Sequence, residues 1–324
     1  MKTRTAQTVS FESLRTDLRQ VFRQICSAPG FTIAVVLVLA SGFAVSTAIF
    51  SAVRSVLLTP LPFRNPDCLV QIISQWPKSG DQNDWSAPLG DLPDLKVSVA
   101  AFQDVAAYRY ALLNLKAGSE AESLYGVRVP ANLLPMLGVH PQLGSWIPAE
   151  YDRPGNTHTL LLSDELWRRA FHADPHMVGK TVRLDAQDYL VLGVMPRGFN
   201  FPMKLATTAL LPTDQMQFWM PLGADLSREP HGAPNAGVIA RLKEGVLLAQ
   251  AQEQLEAAYR LLAHEYPATN TNLSAVLVSL QQQTVGQVNA SLFALLAGAG
   301  LILLLGCSNV AALLLARASL ASAS

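Results

Sequence analysis

The chain has 324 residues, with 24 Lys plus Arg balanced by 24 Asp plus Glu, so it lacks the basic surplus that a nucleic-acid-binding surface needs. Half of the residues are hydrophobic, a value that averages two long apolar stretches with an ordinary polar segment between them. Three scattered cysteines, Cys26, Cys68 and Cys307, exclude a disulfide framework and a CxxC zinc site.

Residues 11–25 place Leu14, Leu18, Val21, Phe22 and Ile25 on one helical face, with arginines largely on the other. Such a helix lies in a membrane interface with its basic face toward lipid headgroups. Ala28, Pro29 and Gly30 then favour a bend, giving an elbow helix. No charge occurs between Arg23 and Arg54. Residues 31–53 are therefore long enough to span a bilayer core, which needs roughly 20 apolar residues. The rival readings are a buried helix and a cleaved signal peptide, whose apolar region is normally only about 7–15 residues. Five basic residues before the stretch, against Glu12 and Asp17, predict a cytoplasmic N-terminus, and Arg317 after the second stretch agrees. Arg54 argues weakly the other way.

Three prolines, Pro60, Pro62 and Pro66, form a rigid exit into the polar segment. Residues 69–73 read as a first strand and 76–88 as a turn-rich loop. Residues 102–108 read as a short amphipathic helix, and alternation predicts strands over 123–130 and 158–163. Short helices are predicted over 132–137 and, from a Ser163 cap, over 164–171. Val182 and Leu184, a turn near 185–187, then Tyr189 and Val191 predict a hairpin. Leu248, Leu255, Tyr259, Leu262 and Tyr266 form the apolar stripe of a helix over 246–266, and 274–280 reads as a strand. The mixture predicts an α+β domain, in two lobes. From 60 to 285 there are 17 Lys plus Arg and 22 Asp plus Glu, a mildly acidic segment.

The second apolar stretch, residues 291–316, lies in an uncharged run from Tyr266 to Ala316 and also suffices to cross. Its Gly298, Gly300, Gly306, Ser308 and Asn309 are candidate helix-packing residues, as are Ser46 and Thr47 in the first stretch. A small-residue face is also compatible with an incidental consequence of apolar composition.

Catalytic motifs are near misses. Residues 174–181, DPHMVGKT, end like a phosphate-binding loop, but Asp174 stands where its first glycine belongs, and its carboxylate would repel phosphate. His172 and His176 are four apart, yet Pro175 between them breaks the helix that would make them metal ligands. Asp91, Asp94, Glu120 and Glu122 read as surface solvation, and no GxSxG elbow or glycine-rich dinucleotide loop occurs. No catalytic residue, metal ligand or cofactor is predicted.

The run PGFTIAVVLVLASGFAVSTAIFSAVRSVLLTPLPFRNPDCLV resembles the start of bacterial export permeases of the MacB and FtsX superfamily, and more narrowly the duplicated orphan permeases. The likeness continues through VRVPANLLPMLGVHPQLGSW, LLSDELWRRAF, DPHMVGKTVRLDAQDYLVLGVMPRGFNFP and VIARLKEGVLLAQAQEQL to GCSNVAALLLARA. It implies an ABC transporter permease of the inner membrane. On that scheme residues 1–28 are cytoplasmic with the elbow helix, 29–58 are the first transmembrane helix, 59–286 are a MacB-like periplasmic core domain, and 287–316 are the second span. Residues 317–324 return to the cytoplasm, where the family continues into further spans and this chain stops. The resemblance implies a non-catalytic role in export or mechanotransmission. Its implied partners are a separate cytoplasmic ABC ATPase, another permease half or copy, and the lipid bilayer. A membrane-anchored extracytoplasmic binding or sensor module without ATP coupling is the alternative.

Overall fold

The structure, a computed structural model, describes residues 29–53, 61–76, 86–117, 120–199, 201, 216–282 and short pieces between 294 and 312. The chain divides into two units, residues 1–59 with 287–324, and residues 60–286.

In the first unit, helix α1 (Pro29–Val53) runs for 25 residues. It carries no charged side chain. Some of its side chains, and much of residues 291–316, fall outside the described residues. Among those described, no helix is long and apolar enough to cross a membrane, so the two expected spans are not seen. The expected elbow helix over 11–25 lies outside the described residues.

The second unit is the expected α+β domain. In chain order it contains β1 (Leu69–Gln75), β2 (Ala87–Pro88), α2 (Leu92–Ser98), β3 (Phe102–Ala117), β4 (Glu120–Val129), α3 (Leu133–Leu137), β5 (Leu143–Gly144), β6 (Thr159–Leu162), α4 (Asp164–Phe171), β7 (Thr181–Leu184) and β8 (Gln187–Val194). There follow β9 (Phe218–Pro221), β10 (Pro234–Leu242), α5 (Leu248–Glu265), α6 (Pro267–Asn270) and β11 (Ser274–Ser279). Among the described residues these strands make one sheet in the order β11-β1-β10-β3-β4-β9-β6-β8-β5, with β2 on β10 and β7 on β3 and β8. The β4–β9 and β6–β8 pairs are parallel and the others antiparallel.

The reading of 102–108 as a helix is overturned, because the segment opens the 16-residue strand β3. The first part of β3 pairs with β10 and the rest with β4, so this strand joins the two halves of the sheet. Its alternation is masked because both faces are covered. Val105 and Ala107 enter the core beneath α2 and α5, while Ala106 and Tyr108 enter the core beneath α3. A third apolar cluster gathers α4, β6, β8 and the inner residues of β4 and β9 around Leu160, Leu162, Trp167 and Phe218.

Local chemistry explains several elements. Ser163 Oγ accepts the Leu166 N–H at 3.0 Å, the cap that starts α4. The β7–β8 hairpin turns at Asp185 and Ala186, both left-handed at φ 48° and 63°, which is the twist a two-residue hairpin favours. A left-handed alanine costs about 1–2 kcal/mol. Ala186→Gly removes that strain but adds roughly 0.4–1 kcal/mol of unfolded-chain entropy, so a net gain of about 0.5 kcal/mol is expected in denaturant melts. At the open edge of β11, the Gln252 amide accepts from Leu277 N at 2.8 Å and donates to Ala275 O at 3.0 Å. It thereby occupies backbone groups that a further strand would otherwise pair with.

Candidate functional site

The chain enters the second unit through LPFRNPDC, residues 61–68. Asn65 is left-handed at φ 43°, and Pro66–Cys68 form a single 3-10 turn ahead of β1. Phe63 sinks into the core beneath α3, only 7% exposed, and the Arg64 N–H donates to Leu137 O at 3.0 Å. Gly138, at φ 75°, caps α3, and a Cβ there would stand 2.5 Å from Arg64 Cβ. Glycine is thus required both by the backbone angle and by the closeness of the entering segment.

Arg241 closes this joint from β10, opposite Leu69 of β1. It is 7% exposed and makes no ion pair within 4 Å among the described residues. Its guanidinium instead donates to four carbonyl contacts: Nε to Met136 O at 3.0 Å, Nη2 to Met136 O at 2.7 Å and Arg64 O at 2.6 Å, and Nη1 to Asn65 O at 3.2 Å. Burial pulls its pKa below the ordinary arginine value. The carbonyl at the end of α3 supplies the partial negative charge that a carboxylate would otherwise bring. One side chain thus ties the entering segment, α3 and the central sheet together.

The exit lies beside the entrance, because Val70 near the start of β1 faces Ser279 at the end of β11. A pull on either connection therefore loads the same β11-β1-β10 ladder. Next to the joint a recess of 470 Å³ is lined by Arg64, Cys68, Asp104, Asn132, Arg241 and Glu244 among others. Asn132 donates to Asp104 at 2.9 Å and Asn65 to Glu244 at 3.3 Å across it.

A second polar cluster sits at the far end of α5. Asp91 is fully buried, its Oδ1 2.9 Å from His231 Nδ1 and its Oδ2 accepting from Asn270 at 2.9 Å. Burial raises its pKa, and His231 and Asn270 oppose that shift. The His231 ring stacks on Tyr266 with centroids 3.7 Å apart. The Asp91 carboxylate thus ties three loops together through His231 and Asn270.

The near-miss motifs resolve into turns. Asp174 accepts from the His176 N–H at 2.9 Å and pairs with Lys180 at 2.5 Å, so the lysine of GKT is held by the carboxylate that replaces glycine. No metal-holding group of His, Cys, Asp and Glu occurs among the described residues. Of the predicted helix-packing residues, Ser46 and Gly306 are half-buried and Thr47 and Ser308 exposed. A Cβ on Gly298 or Gly300 would meet nothing within 4 Å, and the side chain of Asn309 lies outside the described residues. Sequence reasoning missed Gly42, which is buried in α1 and whose Cβ would come 3.1 Å from Leu303 Cδ1. Its signal was its place four residues before Ser46, a small-xxx-small spacing. It also missed Arg241, whose signal was a lone charge inside the apolar strand VIARL.

Carboxylates paired with arginine give the domain its acid sensitivity. Arg109 grips Glu229 with two hydrogen bonds, at 2.8 and 2.5 Å, and holds its carboxyl below the usual range. Arg169 does the same for Glu122, and Arg168 for Asp164. A depressed folded pKa contributes stability that is present above the unfolded value and lost as pH falls through the folded one. Asp91 works oppositely, because its raised pKa favours the protonated fold. The melting temperature should therefore fall on acidification below about pH 4, and the fall should be shallower in Glu229→Gln. An equal slope in both proteins would contradict the assignment.

The model of the MacB-like periplasmic core domain family matches residues 32–258. No curated protein matches the chain. Among solved structures, a domain assigned to a permease protein of Porphyromonas gingivalis is 15% identical, covering 67% of this chain and 92% of that one at a TM-score of 0.49. The extracellular domain of the noncanonic ABC-type transporter YknZ from Gram-positive bacteria is 13% identical, covering 64% and 99% at a TM-score of 0.44. The periplasmic region of MacB from Actinobacillus actinomycetemcomitans is 14% identical, covering 75% and 98% at a TM-score of 0.45.

Proposed function

The chain belongs to the family of MacB-like periplasmic core domains, and from that premise we propose that it is a non-catalytic permease subunit, or half of one, in an ABC-type export or mechanotransmission system. Residues 29–58 and 287–316 are its two spans, both termini are cytoplasmic, and residues 59–286 stand in the periplasm. A cytoplasmic ATPase supplies the motion, and a second permease half or copy packs against the helices, through Gly298, Gly300, Gly306, Ser308 and Asn309 on one span and Ser46 and Thr47 on the other. The narrower affiliation to the duplicated orphan permeases is part of the same reading.

The Arg241 clamp is the observation that carries it. A stalk that delivers force must not slip against its load, and four charge-assisted hydrogen bonds to three carbonyls fix the entering segment on the sheet. The adjacent entry and exit strands mean that relative movement of the two spans shears one ladder rather than bending the whole domain.

Two experiments test the reading. In intact cells, a membrane-impermeant thiol reagent should label a Ser79→Cys variant whose native cysteines have been replaced, but not a variant that retains only Cys26. Labelling of Cys26 alone, with both reactive after lysis, places the domain in the cytoplasm and ends the proposal. An ABC ATPase that copurifies with the chain should hydrolyse ATP faster in its presence. Ligand binding with no associated ATPase would favour an anchored binding or sensor module instead.

A further inference from the structure

We propose that the recess between α4 and β9 binds a small amphipathic anion, a compact apolar body bearing one carboxylate. The recess lies away from the Arg241 joint, and the proposal stands whether or not the chain works with an ATPase. Its volume of 580 Å³ falls within the range of about 300–1,000 Å³ typical of ligand sites.

The chemistry divides into a floor and a rim. The floor is the half-buried Phe199 and the buried Met216, backed by the fully buried Met195 and Trp219, with the rings of Phe199 and Trp219 5.1 Å apart. Trp219 is fully buried, yet its indole N–H finds no acceptor among the described residues. At the rim, Arg168 is held by Asp164 at 2.8 Å and Arg169 by Glu122 at 2.5 Å. Arg197 lines the same recess, is exposed, and makes no ion pair within 4 Å among the described residues. Arg197 lies in the field of the Asp164 carboxylate but forms no hydrogen-bonded pair with it, and it lines the recess whose floor is apolar. A cation beside an apolar recess recognises an anion that carries an apolar body, because the headgroup pairs at the rim while the body displaces water from the floor.

Two sources share this chemistry, a free acyl or aryl carboxylate and the C-terminus of a peptide that ends in a large apolar residue. The test is isothermal titration of the full chain in lipid nanodiscs, with empty nanodiscs as blank. The probes are naphthalene-2-carboxylate, its neutral carboxamide, and a tripeptide ending in phenylalanine with a free or an amidated C-terminus. The carboxylates should bind roughly tenfold more tightly than the matching amides, and Arg197→Ala should abolish that ratio while leaving the amides unchanged. Phe199→Ala should weaken every probe severalfold. Binding of the naphthoate alone points to a small-molecule source; binding of the peptide as well points to a chain terminus. Equal binding of acid and amide, an acid-to-amide ratio that survives Arg197→Ala, or no binding by any probe at millimolar concentration overturns the proposal. Arg197 is exposed, so its replacement leaves the fold intact as an internal control.

Discussion

Arg241→Met is expected to lower the stability of the second unit by about 3 kcal/mol and to free the entering segment from the sheet. Two effects oppose each other in this estimate. Burying a guanidinium is costly, and replacing it with an apolar side chain of similar length relieves that cost. Against this, the carbonyls of Met136, Arg64 and Asn65 lose their Arg241 donor, and the two bonds to Met136 O are buried. Hydrogen bonds to a charged group are worth about 1.5–3 kcal/mol each, and four of them converge here, so the loss exceeds the relief. For a domain of this size the change corresponds to a melting-temperature drop of roughly 10 °C.

Lysine separates charge from geometry at the same position. Arg241→Lys keeps the cation, but its ammonium is a point donor that cannot span carbonyls on three residues as the planar fork does. An intermediate loss, about half that of methionine, is therefore expected. The second readout is amide exchange of residues 61–68, which should accelerate in Arg241→Met well beyond the change in the rest of the domain. A melting point within a degree of wild type, or uniform exchange, would show that the clamp holds nothing.

The parts of the fold that could be read in the sequence are those whose signal is local. Ser163 announces α4 because a serine oxygen satisfies a free N–H at a helix start, and the bond to Leu166 is there. The β7–β8 hairpin shows because one face of each strand is wet, so its residues alternate. The strand β3 was misread for the opposite reason. Phe102, Val105 and Ala106 fall at helical spacing by accident, and over 105–108 burial on both faces leaves no polar residue to expose a period of two. The four residues of β9, all buried, carry no period at all. The joint was harder still. Nothing near Arg241 in sequence names its acceptors, which lie 105 and 176 or 177 residues away. Only the pairing of β1 with β10 brings them together.

Gly237→Ala should be as damaging, though it adds a single methyl group. Gly237 faces Tyr108 across the β10–β3 pair, and a Cβ built there would lie within the tyrosine ring, overlapping Cζ, Cε1 and Cε2. The ring cannot simply step aside. Tyr108 is fully buried and packs edge-on against Phe201 at 5.1 Å. Burial also drives the Tyr108 hydroxyl pKa upward, so the group stays neutral and offers no charge that water could draw out. Either the aromatic leaves its core or the strands part, and overpacking of this kind costs about 3 kcal/mol. Tyr108→Ala alone should cost about 4 kcal/mol through the cavity it leaves. If the clash is the cause, the double variant will be destabilised by less than the sum of the singles, with a coupling of about 1–3 kcal/mol, since the added methyl occupies space the ring has vacated. Strictly additive losses in urea melts would mean that Gly237 is needed for its backbone and not for the ring above it.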